Sequence, residues 1–245
     1  MNILIVSAHP DDETIGMGGT LKKLTKDHDV KILFLADGIT ARKKSGHVNT
    51  TDYEVSELEV KKMKKEIDLR KSDSIRALKI LGVNKMKFLD LVDNELDTIP
   101  FLKIVKEVEK EIRETQCRVI FTHHHNDLNI DHRVAYEATL TAARPLPEST
   151  VDSIISFEAV SSSDWRSPYK FKPNMFVDIS SELKIKLKAL KAYKKEIRQF
   201  PHPRSEETIE AVARRWGSLY GYKAAEAFEI IMTRVSDFHK LPLGL

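Results

Sequence analysis

A single cysteine, Cys117, in 245 residues leaves no partner for an intramolecular disulfide. Its expected place is that of a small buried residue opening a strand. No apolar run is long enough to cross a bilayer. The opening run has no basic flank and is too short for a signal peptide. The expectation is a cytoplasmic protein with no integral membrane segment. Cationic excess is small as well: 40 Lys and Arg stand against 37 Asp and Glu, a net charge of +3 spread along the chain. That dispersal argues against a nucleic-acid partner. Repeats, low-complexity tracts and linkers are absent too, so residues 1–245 are expected to form a single domain with one substantial core.

What is present is an alternation of strands and helices. Residues 2–8 and 30–36 read as buried strands, 87–89 as a short third and 119–121 as a fourth. Between them fall a helix from Ile15 to about Lys26, a Lys/Glu-rich helix over 57–81 stopped at Gly82, and a helix from Pro100 to about Glu114. Two more strands are expected at 153–157 and 174–179. The carboxyl third reads as helical, with Leu183, Leu187, Leu190, Tyr193 and Ile197 marking one face of a helix that ends near Phe200. Another helix starts from about Ser205. The fold class is α/β: a Rossmann-like three-layer sandwich with a mainly parallel sheet flanked by helices.

Ligands of such sheets bind beyond the carboxyl ends of the strands. Two of those ends are dense in metal-type donors. His9-Pro10-Asp11-Asp12-Glu13 follows the first strand, and His123-His124-His125-Asn126-Asp127-Leu128-Asn129-Ile130-Asp131-His132 follows the fourth. A catalytic zinc takes about three protein ligands and keeps one position open. Two imidazoles and a carboxylate would supply them, and a further carboxylate could take a proton from water. Adjacent Asp11 and Asp12 point different ways, so one can bind metal while the other works on the water. Taken alone, either carboxylate could simply complement a helix dipole.

These motifs resemble the LmbE/PIG-L-type metal-dependent N-deacetylases. Ala8-His9-Pro10-Asp11-Asp12-Glu13 matches the family's opening motif intact, and Gly16, Gly18 and Gly19 fit the family's glycines just after that motif. Asp131-His132-Arg133 matches a downstream D-H-R. Arg70-x-x-Asp73, Ala77 and Leu81-Gly82 resemble the family's R-x-x-E…A…L-G, with Asp in place of Glu. Asp93 in LVDNEL resembles a later acidic position, and AVARRWGSLYGYKAAEAFEII the terminal motif. The resemblance implies a hydrolase that removes an N-acetyl group from an amino sugar or sugar conjugate. His9, Asp12 and His132 would be metal ligands and Asp11 the general base. Arg70 and Asp93 would grip sugar hydroxyls; otherwise they are a helix arginine and a turn aspartate.

Where many relatives have H-x-D-H, this chain has Asn129-Ile130-Asp131-His132. Asn129 can donate a hydrogen bond to an oxyanion but cannot shuttle a proton. The acid would come from His123, His124 or His125, or from Asp11 returning its proton. Asp131 would orient one of those histidines or the ligand His132. Glu158, His202 and Arg204 are weaker candidates for the substrate cleft. Trp165, Tyr169 and Trp216 could stack on a sugar ring, and the polar loop over 41–56 could serve as a lid.

Zinc is the expected cofactor, although two histidines and a carboxylate also suit iron(II). The expected partner is a small N-acetylated sugar or glycoconjugate, and a homo-oligomer is compatible with the sequence. Three rival readings remain at this point. Gly16-x-Gly18-Gly19 after a strand, with Asp37 ending the next, suggests a dinucleotide-binding protein, but the spacing is not G-x-G-x-x-G and the turn's carboxylates would repel pyrophosphate. A metal-binding protein without catalysis would not require Asp11. A hydrolase of another amide or an ester would use the same residues.

Overall fold

The computed structural model describes residues 1–42, 57–168 and 170–235. The strands are β1 (Asn2–Ser7), β2 (Asp29–Ala36), β3 (Lys85–Leu91), β4 (Val119–His123), β5 (Ser153–Phe157), β6 (Met175–Asp178) and β7 (Ala225–Thr233). They form one sheet in the order β3-β2-β1-β4-β5-β7-β6. The run from β3 to β5 is parallel, and β7 pairs antiparallel with both β5 and β6. The helices are α1 (Asp12–Asp27), α2 (Glu57–Leu81), α3 (Phe101–Thr115), α4 (Ile130–Ala142), α5 (Ser162–Trp165), α6 (Leu183–Leu190) and α7 (Glu206–Leu219).

Side chains alternate across a strand, and β1 shows how that builds three layers. Ile3 and Ile5 join Met17 and Leu21 of α1, Leu78 and Leu81 of α2, and Ala189 of α6 in one apolar cluster. Leu4 and Val6 face the other way, into a cluster with Ile104, Val105 and Val108 of α3 and Ala135 and Ala138 of α4. Buried Cys117 lies in this second cluster, just ahead of β4. Chain direction through the sheet reverses between β1 and β4, so the loops after these two strands diverge and leave a crevice there. Both donor-rich turns sit at that crevice.

Two expectations for the carboxyl third are corrected. The helix from Leu183 ends at Leu190, not near Phe200. Beyond it the spacing of Leu190 and Tyr193 continues as turns, with the Tyr193 N–H donating to Leu190 O and the Glu196 N–H to Tyr193 O. Tyr193 is buried, and its hydroxyl donates to Glu13 Oε1 at 2.9 Å. That inward anchor holds the segment against the core in place of a straight helix. The second correction is β7, which sits inside the sheet although the carboxyl third reads as helical and offers this stretch only as a terminal motif. Buried Glu226 interrupts its apolar pattern. Its carboxylate accepts the Gly19 N–H (2.9 Å), the Thr20 N–H (2.6 Å) and a proton of Lys186 Nζ (2.6 Å).

Those contacts belong to a break in α1, where Met17 leaves helical geometry at φ −142°. Glu226 therefore caps the second half of α1 from across the sheet. The glycines here allow close packing. A Cβ at Gly16 would lie 2.6 Å from Glu158 O, and one at Gly19 would lie 2.7 Å from Ile179 Cγ2. Asp37 is also engaged locally: its carboxylate accepts the N–H groups of Ile39 and Thr40. Neither feature is arranged as the dinucleotide reading requires. The loop over 41–56, beyond its first two residues, and Tyr169 lie outside the described residues.

Candidate metal centre and substrate cleft

The turn after β1 is strained at Asp11, whose φ is 131°. A non-glycine residue in that region costs on the order of 1–3 kcal/mol and is found where geometry is tightly specified. The strain is held in place by the Asp11 N–H donating to Glu13 Oε2 at 3.0 Å. It sends Asp11 and Asp12 in different directions. Asp12 points toward the crevice between β1 and β4, where the His9 N–H donates to its Oδ2 at 3.0 Å.

Three donor atoms converge there. His9 Nδ1 lies 3.1 Å from Asp12 Oδ2, His132 Nε2 lies 3.2 Å from the same oxygen, and the two ring nitrogens are 3.3 Å apart. A tetrahedral shell with bonds of about 2.0–2.1 Å has edges of about 3.3–3.4 Å. All three residues are buried, and Asp12 Oδ1 has no hydrogen-bond partner. The donor set fits a zinc-class ion in type, separation and unspent acceptor capacity.

Each imidazole is gripped from behind by carboxylates. His9 Nε2 is 2.9 Å from Asp93 Oδ1 and 3.0 Å from Asp131 Oδ2, and His132 Nδ1 is 3.2 Å from Asp127 Oδ1. Such partners fix the ring orientation and leave the opposite nitrogen for a metal. His9, Asp93 and Asp131 also form a cluster of potential ligands. Asp131, however, already accepts the Asn94 and Leu96 N–H groups, so its capacity is largely used.

The carboxylates make the pocket favour positive charge. Burial alone would lower the His9 pKa, but Asp93, Asp12 and Asp131 raise it well above its usual value. At His132 burial is outweighed by Asp12 and Asp127, and the pKa rises to about 9. Burial likewise opposes ionisation of Asp12, yet His132 and His9 hold its carboxyl well below the usual range. Asp11 is buried beside this centre. Arg70 reaches its Oδ1 at 2.9 Å and Arg204 its Oδ2 at 3.2 Å. Burial raises the Asp11 pKa, and the two guanidiniums offset that only in part.

Several sequence expectations are placed differently. Asp131 orients His9, not the adjacent His132, because consecutive residues at the start of α4 point about 100° apart. Asp127, five residues before His132, is the one that holds it. His125 lies outside the His9–Asp12–His132 cluster, beside His124 and Glu229. His123 does reach the centre, stacked on His132 with ring centroids 3.9 Å apart. Its Nε2 accepts the Ala8 N–H at 2.8 Å, while burial and His132 push its pKa well down. A neutral ring with that nitrogen occupied is not a proton donor to substrate. Asn129 caps α4, its Oδ1 accepting the Asp131 N–H at 2.8 Å.

A cleft of about 520 Å³ opens beside this centre. Its walls include Asn94 after β3, Asn129 after β4, Trp165 on α5, and Glu196, His202 and Arg204 from the turns after α6. Trp165 is 60% exposed. Arg70 and Asp93 are buried behind the wall, Arg70 paired with Asp11 and Glu196. Trp216 and Glu158 lie elsewhere, with Trp216 Nε1 donating to Glu158 Oε1 at 2.7 Å. Sequence reasoning missed Asp127 and Glu196. The spacing from Asp127 to His132 was a usable signal, whereas Glu196 was hidden by the false helix.

Residues 4–143 match the model of the PIG-L family, described as GlcNAc-PI de-N-acetylase. The chain is 31% identical over 240 residues to diacetylchitobiose deacetylase of Thermococcus kodakarensis, covering 94% of this chain and 82% of that protein. It is 27% identical over 197 residues to the uncharacterized deacetylase YaiS of Escherichia coli, covering 78% and 90%. The solved N,N'-diacetylchitobiose deacetylase from Pyrococcus horikoshii, in complex with its inhibitor MPG, has the same fold. The TM-score is 0.72 at 24% identity, covering 94% of this chain and 84% of that one.

Proposed function

The chain belongs to the PIG-L family of N-deacetylases, and on that footing we propose that it is a zinc-dependent hydrolase removing an N-acetyl group from an amino sugar or sugar conjugate. The observation that carries this reading is the convergence of His9, Asp12 and His132 on near-tetrahedral edges, with strained, buried Asp11 alongside. His9 Nδ1, Asp12 and His132 Nε2 would hold the ion. When bound, a zinc-class ion polarises a carbonyl and lowers the pKa of water toward neutrality.

The chain's own residues do the rest. Asp93 and Asp131 hold the His9 ring and Asp127 the His132 ring, so neither ligand swings when substrate enters. Asp11 takes a proton from the attacking water, whose oxygen bonds to the amide carbon. As the carbon–nitrogen bond breaks, Asp11 passes that proton to the departing amine, giving acetate and a free amino sugar. Asp11 serves as base and acid because the other candidates do not. Asn129 carries no exchangeable acid, His123 is neutral, and His124 and His125 belong to another cluster. The amide nitrogen of Asn129 is left to donate toward the developing oxyanion, since its oxygen is committed to the helix cap.

Arg70 and Arg204 hold Asp11, with Arg204 also on the cleft wall. Trp165 at the cleft offers a face for a sugar ring. The resemblance assigns Arg70 and Asp93 to sugar hydroxyls; with both behind the wall, we assign them to positioning Asp11 and His9. The substrate class is an N-acetylated glucosamine derivative, N,N'-diacetylchitobiose being the first to try. The test is acetate release from a panel of N-acetylated and O-acetylated sugars by chelator-stripped protein, before and after adding Zn2+ or Fe2+. Release from N-acetyl sugars only after metal addition is expected. Release from O-acetyl sugars alone would favour an esterase, and metal-independent release would contradict the reading.

A further inference from the structure

We propose that His124, His125 and Glu229 bind a second zinc-class divalent ion, at a site sharing no residue with the His9–Asp12–His132 set. One ligand atom from each of the three lies within 4.8 Å of the other two. The first two side chains follow the end of β4 and the third comes from β7, where it lies opposite Ser156 of β5. His124 Nδ1 and Glu229 Oε2 are 3.3 Å apart, the edge of a tetrahedral shell with bonds of about 2.0–2.1 Å.

What points to a ligand is the unspent capacity gathered there. His124 is 1% exposed, and both its ring nitrogens are buried without a hydrogen-bond partner. Buried His125 Nδ1 and Glu229 Oε2 lack one as well. Leaving buried polar atoms unsatisfied is unfavourable, and one cation coordinated by the three residues would relieve most of them together. The His124 and His125 rings meet edge to face with centroids 4.4 Å apart, so their nitrogens are not aligned for a hydrogen bond to each other.

The surroundings suit an ion of this class. Phe171 closes one side against His124, and Tyr136 lies against His125. Asn126 Nδ2 lies 2.8 Å from His125 Nε2; turning that amide over would bring its oxygen there to accept the Nε2–H, leaving the Nδ1 lone pair for the ion. Half-buried His125 and Glu229 give the ion a way in. Two imidazoles and one carboxylate select zinc-like ions over magnesium or calcium. Bound there, the ion would tie the loop after β4 to β7.

The test is Zn2+ titration against a chromophoric chelator, with metal analysis after gel filtration. It compares wild type with Glu229→Gln, His125→Asn and Asp12→Asn, and with Glu229→Gln combined with Asp12→Asn. Glu229→Gln and His125→Asn change half-buried groups, and circular dichroism confirms that each variant is folded. Two equivalents are expected for wild type, one for each single variant and none for the combined variant. A single wild-type equivalent that Asp12→Asn removes, and Glu229→Gln and His125→Asn do not, would overturn the second site while sparing the proposed function. A single equivalent with the opposite sensitivity would establish this site and count against the active-site reading.

Discussion

Asp127 and Asp131 stand four residues apart, yet each holds a different imidazole, and the donor set depends on both. If these carboxylates orient the ligands, replacing one should weaken the metal without removing a ligand. Asp127→Asn is expected to lower zinc affinity about 10–100-fold, measured by competition with a chelator of known affinity. Unchanged affinity would mean that the contact of Asp127 with His132 is incidental. The same scale shows what could be read in advance. The two donor-rich strand ends stood out because imidazoles and carboxylates there are chemically distinctive, while the choice of His9, Asp12 and His132 among them was what the family resemblance implied. Which carboxylate faces which ring was not legible, because it depends on side-chain directions at the start of α4. Asn129 was conspicuous as a departure from H-x-D-H, but its role as a helix cap became visible only once that helix was placed.

At the scale of elements, the broken helix α1 and the hidden strand β7 explain each other. Glu226 satisfies the N–H groups released near the Met17 break and neutralises buried Lys186. Glu226→Ala leaves that cation unpaired and both donors unmet. The expected loss is about 3–5 kcal/mol in a urea unfolding experiment. A loss below about 1 kcal/mol would show that the break is held by other contacts. Gly19→Ala should also destabilise, by about 1–3 kcal/mol, because its new methyl would meet Ile179. This arrangement also explains the limits of pattern reading. Strands β1, β2 and β4 were legible because both their faces are buried and their apolar runs are continuous. Strand β7 was not, because Glu226 and Glu229 interrupt its period and the preceding helix invited continuation. The turns after α6 kept a helical spacing of apolar residues, while Tyr193 and its bond to Glu13 set a different path. That path delivers Glu196 to the cleft beside Arg204, already a cleft candidate from the sequence, so the missed Glu196 follows from the part of the fold that was misread.

For the molecule as a whole, one buried acid outside the donor clusters contributes stability that falls with rising pH. Burial raises the Glu158 pKa from 4.5 to about 7, although the Trp216 hydrogen bond opposes the shift. Between these values the folded state keeps a proton that the unfolded state has lost. The Glu158 contribution therefore declines as pH rises through this window and is at its lowest above about 7. Glu158→Gln keeps an acceptor for Trp216 Nε1 and removes the ionisation. It should be more stable than wild type above pH 7, by up to about 3 kcal/mol, and should match it near pH 4. Parallel melting curves for the two proteins across that range would assign the slope to other groups. Among the described residues no helix is long and apolar enough to cross a membrane, and the cleft opens to solvent at exposed Trp165. The central claim is that the turn after β1 divides its work, with Asp12 holding an ion and Asp11 moving the proton beside it. The most direct test is acetate release per bound zinc from an N-acetylated glucosamine substrate, compared between wild type and Asp11→Asn. The account predicts full zinc occupancy in the variant with turnover reduced about 10²–10⁴-fold. Turnover within a few-fold of wild type at equal zinc content would contradict it.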